Sequence, residues 1–204
     1  MATSISKRGA SRVPKSAESG FSLIEVMVSM AVLTVGLVSL LGVFGMAMAS
    51  TQTSQQDMIA KQLANEALES IITARNTSQT NWDSVQNTGS TNCPITGASS
   101  CGSFLTGAQP IYNAGADGIF GTSDDAAAGA ETLREPGPDG IYGNSNDVII
   151  PLTAFQRTIL FSPVYDAQGN LVTTLRGVTV TMQYTTPQRL QKSYALNSFI
   201  SEYQ

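Results

Sequence analysis

From Phe21 to Ala49 the chain runs 29 residues with a single charge, Glu25. About 20 apolar residues suffice for a helix to cross the hydrocarbon core of a bilayer, and no other stretch of the chain is long enough. The pattern then becomes one-sided. Met58, Ile59, Ala60, Leu63, Ala64, Ala67, Leu68, Ile71 and Ile72 recur at helical spacing, with Lys61, Asn65, Glu66 and Glu69 between them. Residues 50–56 (STQTSQQ) contain no proline or glycine. The pattern therefore predicts one helix from near Phe21 to about Arg75, roughly 80 Å long at the helical rise per residue. Its first half is apolar all round and its second half on one face. Gly36, Gly42 and Gly45 leave a break into two helices as the alternative.

Beyond the helix the signals change twice. Residues 76–102 are dense in Ser, Thr, Asn and Gly and read as loop. The lone tryptophan, Trp82, reads as a core plug under that loop, with a binding aromatic as the alternative. From Ile149 the period becomes two. Residues 155–161, 171–184 and 193–200 read as strands, with turns at 166–170 and 186–188. The alternation in Val178–Tyr184 is clean, so one face is buried, and Gly177 marks a possible bulge. The expected fold class is α+β, a long N-terminal helix packed on an antiparallel sheet of three to four strands.

Between these regions lies an internal repeat. Gly115-Ala116-Asp117-Gly118-Ile119-Phe120-Gly121-Thr122-Ser123-Asp124-Asp125 matches residues 137–147, Gly-Pro-Asp-Gly-Ile-Tyr-Gly-Asn-Ser-Asn-Asp, at an offset of 22. Residues 113–147 carry seven acidic groups and one arginine. Oxygen donors alternating with turn glycines suit a hard cation such as Ca²⁺, although the spacing is not that of an EF-hand. The candidate ligands are Asp117, Asp124, Asp125, Asp139, Asn144, Asn146 and Asp147. The alternative is a pair of solvated acidic turns, with Asp-Gly serving a hairpin.

Charge and composition narrow the function. The net charge is −4. Residues 1–20 hold four basic groups and one acid, which leaves 7 basic and 14 acidic side chains after them. Such a domain argues against a nucleic-acid surface, which needs clustered Lys and Arg. With no histidine there is no Ser-His-Asp or Cys-His constellation. No nucleophile elbow, P-loop or dinucleotide fingerprint is present. The expectation is a protein that is not an enzyme.

Lys7, Arg8, Arg12 and Lys15 precede Gly20, then Phe21 opens the apolar run and Glu25 stands fifth in it, with Ser22, Leu23, Ile24, Val26 and Met27 between and after. This arrangement resembles the N-terminus of the type IV prepilin and pseudopilin superfamily, with its class III leader and N-methylation motif. The resemblance covers about thirty of the 204 residues. It implies a pilin-like fold, cleavage by a prepilin peptidase between Gly20 and Phe21, and methylation of the new Phe21 amine. It also implies that Glu25 pairs with that amine on a neighbouring subunit and sets the subunit's axial register. A carboxylate in a lipid-facing helix is costly enough to need such a partner. A plain anchor with Glu25 at headgroup depth is the alternative. The segment around Val178-Thr179-Val180 and Tyr184, followed by a last short strand, also resembles the V-type minor pilins, the type IV pilus modification proteins.

The resulting organisation is a cytoplasmic leader (1–20), a membrane and filament-core helix (21–49), its amphipathic continuation (50–75), a cysteine-bearing loop (76–112), the Asp/Gly repeat (113–150) and a β meander (151–204). The basic leader places the N-terminus in the cytoplasm by the positive-inside rule. The rest after Ala49 then lies outside the inner membrane, later in a pilus or a periplasmic pseudopilus. In that oxidising setting Cys93 and Cys101 are expected to form a disulfide, contributing roughly 2.5 kcal/mol by chain entropy. Two free thiols are the alternative. A rival topology is a secretory signal peptide cut after Ala47-Met48-Ala49, but its apolar region is normally only 7–15 residues. The expected function is a minor pilin of a type IV pilus, with a type II secretion pseudopilin as the alternative. A calcium-dependent adhesive module on a pilin stalk is a second alternative. Expected partners are the prepilin peptidase, other pilins and minor pilins, and the inner-membrane assembly platform.

Overall fold

The computed structural model describes residues 20–203. The leader's Lys7, Arg8, Arg12, Lys15 and Glu18 lie outside the described residues. Helix α1 spans Leu23–Asn76 without interruption, so Gly36, Gly42 and Gly45 do not break it. Two units are distinguished, divided after Met46.

In the first unit the helix is apolar on every side, and none of its side chains is buried within the chain. By length and composition it can cross a membrane. Its hydroxyl side chains are satisfied locally. The hydroxyls of Ser29 and Ser39 donate to the carbonyls of Glu25 (2.7 Å) and Val35 (2.8 Å), and Thr34 donates likewise to Met30. Such back-bonding leaves no free hydroxyl to face hydrocarbon.

In the second unit α1 turns one face inward. Ala60, Leu63, Ala64, Ala67, Ile71 and Ala74 are buried at helical spacing. They share one core with Phe155, Ile159, Val178, Val180, Met182, Tyr184 and Ile200 of the sheet. Met58 is exposed, contrary to the periodicity. Asp57, one position earlier, accepts a hydrogen bond from the Tyr184 hydroxyl (2.7 Å) and pairs with Lys192 (3.1 Å), so polar contacts hold the helix where its apolar face begins.

The chain then forms a 3-10 turn at Trp82–Ser84, strand β1 (Gln109–Pro110), a short helix α2 (Asp125–Ala128), β2 (Thr132–Glu135), β3 (Val148–Pro151), β4 (Phe155–Tyr165), β5 (Leu171–Thr185) and β6 (Gln191–Ser201). The main sheet has the order β1-β4-β5-β6 and is antiparallel throughout. Its register aligns Ile159 with Val180 and Val180 with Leu196, so alternate residues face α1. Asp166 and Gly169 make the β4–β5 turn: the Asp166 carboxylate accepts from the amides of Gln168 (2.9 Å) and Asn170 (2.8 Å). Gly177 is not a bulge. It pairs regularly with Ser162 and Phe199, and the register shift lies at Pro163–Tyr165 instead. A Cβ at Gly177 would come within 2.6 Å of the Ser162 hydroxyl, so glycine serves close cross-strand packing there.

The loop after α1 is pinned rather than draped. Trp82 is buried, its indole N–H donates to the Thr173 carbonyl (2.8 Å), and the Arg176 guanidinium lies 4.1 Å over its ring. Arg176 also donates to the carbonyls of Trp82 and Val85. Cys93 and Cys101 are bonded, with Cα atoms 5.9 Å apart. Asn87 acts as a surrogate strand: its side chain donates to the Ile159 carbonyl (2.7 Å) and accepts from the Phe161 amide (2.9 Å), capping β4 where β1 has ended. β2 and β3 form a separate two-stranded hairpin that the repeat signal concealed.

Replacing Ile71, fully buried at the helix–sheet contact, with alanine is expected to destabilise the domain by about 2–5 kcal/mol. The half-buried neighbour Ile72→Ala should cost distinctly less. Urea unfolding followed through Trp82 fluorescence measures both; equal costs would contradict the packing described.

Candidate functional site

At the N-terminal end of α1, residues 25, 29 and 33 succeed one another along one helix face, and Glu25, Ser29 and Leu33 line one shallow surface depression with Phe21, which precedes the helix. The Ser22 carbonyl receives the Glu25 amide (3.0 Å) and the Val26 amide (3.2 Å), which starts the helix just after Phe21. Glu25 thus sits in the first turn, where the unpaired amides of the helix favour a carboxylate. Among the described residues it makes no ion pair. Phe21 is exposed, and Gly20 stands outside the helix.

The second candidate is the repeat, and its two copies adopt one conformation. Gly118 and Gly140 have φ of 66° and 68°, and Gly121 and Gly143 have 92° and 94°. These left-handed positions explain the glycines. Asp117 accepts from the Ile119 amide (2.9 Å) as Asp139 does from Ile141 (3.0 Å). Asp125 accepts from the Gly121 amide (2.6 Å) as Asp147 does from Gly143 (2.7 Å). A Cβ at Gly115 would meet the Asp124 side chain, and one at Gly137 the backbone carbonyl and side chain of Asn146, so neither position has room for one. Sequence identity at these spacings is therefore explained by one set of loop bonds used twice.

The copies differ in setting. Ile119 and Phe120 are 5% and 8% exposed and belong to the domain core, whereas Ile141 and Tyr142 are 61% and 66% exposed. The first copy ends in α2, and the second connects β2 to β3. In the first copy Asp117, Asp124 and Asp125 present carboxylate oxygens within 4.8 Å of one another, a set that could hold a metal ion. All donors are oxygens, which suits a hard divalent cation. The second copy offers Asp139 and Asp147 with the amides Asn144 and Asn146.

Two adjacent carboxylates of the first copy are tuned in opposite directions. The Thr122 hydroxyl, 2.6 Å away, holds the Asp124 carboxyl below its ordinary range. Burial pushes Asp125 up, against two backbone amides and Arg157. Arg157 went unnoticed in the sequence. It is buried beside the loop, with its guanidinium 4.6 Å from the Phe120 ring. The signal was present: Phe155, Arg157 and Ile159 alternate onto the same inward face. Glu131, on the same cluster, is pushed up to about 7 by burial and by the nearby Glu66, with Arg157 opposing.

Comparison with known proteins bears on the first site. Residues 15–41 match the prokaryotic N-terminal methylation motif. No curated protein and no solved structure matches the chain. The chain thus carries a class III, type IV pilin-like leader followed by an apolar helix suited to membrane anchoring. The motif implies processing by a prepilin peptidase and assembly with pilins.

Glu131 supplies a pH test. Its carboxyl is raised from 4.5 to about 7 in the folded chain. The unfolded chain therefore releases this proton first as pH rises, and folding stability contributed here is lost between about pH 4.5 and 7. Glu131→Gln should flatten that part of the stability–pH profile, by about 1–2 kcal/mol once residual solvent screening is allowed for. Chemical denaturation at a series of pH values checks it; parallel profiles would refute the assignment.

Proposed function

We propose that this protein is a minor pilin, a subunit that enters a type IV pilus through its N-terminal helix. The methylation motif at residues 15–41 carries the proposal. In this reading the peptidase cuts after Gly20, and the freed Phe21 amine is methylated. Glu25 then pairs with the amine of a neighbouring subunit, and the assembly platform moves the helix from lipid into the filament. The geometry supports it in two ways. Glu25 has no partner of its own among the described residues. The helix from Leu23 is apolar on every side, which suits lipid first and a helical bundle afterwards. Many major pilins carry proline near the place of Gly42, so the glycine there favours a minor pilin or a pseudopilin over a major subunit. The C-terminal domain then lies outside the inner membrane and finally on the filament. An enzymatic role has no support from any constellation in the described residues.

The expected outcome of intact-mass analysis and N-terminal sequencing, with and without a prepilin peptidase, is a mature chain starting at Phe21 with one added methyl group. Glu25→Ala should be cut normally yet be largely absent from sheared filaments. A chain starting at Ser50 would indicate a secreted domain and sink the proposal.

A second reading concerns the loop beside the core, and the carboxylate triad supports it. We infer that Asp117, Asp124 and Asp125 bind Ca²⁺ and that the cation stiffens the surface the domain presents. Bringing the three acids together without a cation costs repulsion that Arg157, the nearest buried cation, only partly offsets. At tenfold its dissociation constant, a cation bound only by the folded state adds about 1.4 kcal/mol. Calcium should therefore raise the melting temperature of the chain, and Asp124→Asn should remove most of the rise. An unchanged melting temperature at millimolar calcium would contradict this reading.

A further inference from the structure

The two copies of the repeat share backbone geometry but not their complement of partners. In the first copy both oxygens of Asp125 are taken, by the amides of Gly115 (3.1 Å) and Gly121 (2.6 Å). Asp124 is likewise held, by the Thr122 hydroxyl (2.6 Å) and the Asp117 amide (3.2 Å). In the second copy Asp147 stands in the place of Asp125. Its Oδ2 accepts from the Gly143 amide at 2.7 Å, but its Oδ1 has no hydrogen-bond partner, although the side chain is only 2% exposed. A buried carboxylate oxygen without a donor is unfavourable unless something electropositive meets it. The one nearby cation, Arg134, lies 3.7 Å from Oδ2 and is itself largely exposed.

The other polar residues of the loop are held as their counterparts in the first copy are, by bonds within the loop. Asp139 is fixed by the Ile141 amide (3.0 Å) and by the Asn144 side-chain amide (2.8 Å). Asn146 fills the position of Asp124, and it occupies the space beside Gly137 with its backbone carbonyl as well as its side chain. We propose that the second copy is a separate, weaker site for a hard divalent cation. Asp139 and Asp147 supply carboxylate oxygens and Asn146 an amide oxygen. The inference rests on the reading of the first copy as a calcium loop, because it transfers that loop's geometry. The lower affinity follows from one carboxylate fewer and from Arg134 beside the site.

The two sites have different consequences. The first joins a loop to the core through Ile119 and Phe120. The second closes the end of the β2–β3 hairpin, which carries the exposed Ile141 and Tyr142. Filling it should slow hydrogen exchange in the hairpin without affecting exchange in the main sheet.

Calorimetric titration of the full chain in non-ionic detergent, stripped with chelator and titrated with CaCl₂ to about 10 mM, tests the proposal across the affinity range of extracellular calcium modules. The expected result is two binding events. Asp147→Asn should remove the weaker event alone, and Asp124→Asn the tighter one alone. Asn146→Asp, which restores the acid of the first copy, should tighten the weaker event by about tenfold. A single event that vanishes in Asp124→Asn and survives in Asp147→Asn overturns the second site and leaves the first standing. A single event lost only in Asp147→Asn keeps the second site and overturns the first. No event in the native chain overturns both. Two native events that neither Asp147→Asn nor Asn146→Asp alters would place the weaker ion elsewhere and overturn the assignment to Asp147.

Discussion

The contact between the alanine-rich face of α1 and the inward face of the sheet is the constraint on which the folded domain depends. Four of its six buried apolar helix residues are alanines, at 60, 64, 67 and 74. Leu63 and Ile71 are the larger residues of this face, in one core with Val180 and Met182. Small residues bury little area each, so most of the burial at this contact comes from the larger side chains of the sheet. Every later element is attached to this pair. Trp82 and Arg176 fasten the loop to β5, Asn87 fastens it to β4, and Ile119 with Phe120 fastens the first repeat to the core.

The same helix satisfies a second constraint in its first unit. There it has no protein around it, so its polar groups must be satisfied within the helix. The hydroxyls comply by bonding back to carbonyls one turn earlier. Glu25 cannot comply, because a carboxylate has no proton to donate to a carbonyl and is costly in hydrocarbon. That uncompensated group distinguishes the N-terminal face of the helix from the rest of its apolar surface. The match of residues 15–41 to the methylation motif gives it chemical sense, since an amine freed at Phe21 is the kind of partner it lacks.

The elements most legible in the sequence were those whose pattern reflects one dominant force. Uniform apolarity and one-sided apolarity gave the helix to within a residue of Asn76, and strict alternation gave the three long strands of the main sheet. The short strands β1, β2 and β3 were not legible. Two to four residues are too few for a period, and their pairing is decided by what the surrounding loops allow. Met58 read as core because periodicity cannot say where along the helix the sheet begins. Gly177 read as a bulge because a glycine in a strand signals either a bulge or a close approach, and only the register distinguishes them. Arg157 was overlooked because a charge at an inward position looks like noise until its aromatic and acidic neighbours are in place.

The repeat shows how far a motif can carry an argument by itself. Its eleven positions specify a backbone, through glycines in left-handed conformations and carboxylates capping amides, and both copies obey that specification closely. What the motif leaves open is the use of the two apolar positions and of the tenth position. In the first copy the apolar pair enters the core and the tenth residue is an acid held by Thr122. In the second the pair is exposed and the tenth residue is an amide. A substitution at the tenth position therefore changes charge without changing shape, and one at the apolar pair changes attachment without changing the loop. Cation affinity and attachment to the core can thus vary independently in such a loop. Asp147 Oδ1 lacks the donor that the Gly115 amide gives to Asp125, so the second copy is the less completely self-satisfied of the two. Whether a copy closes on itself as a self-satisfied turn therefore depends on the donors around its eleventh residue and not on its glycines.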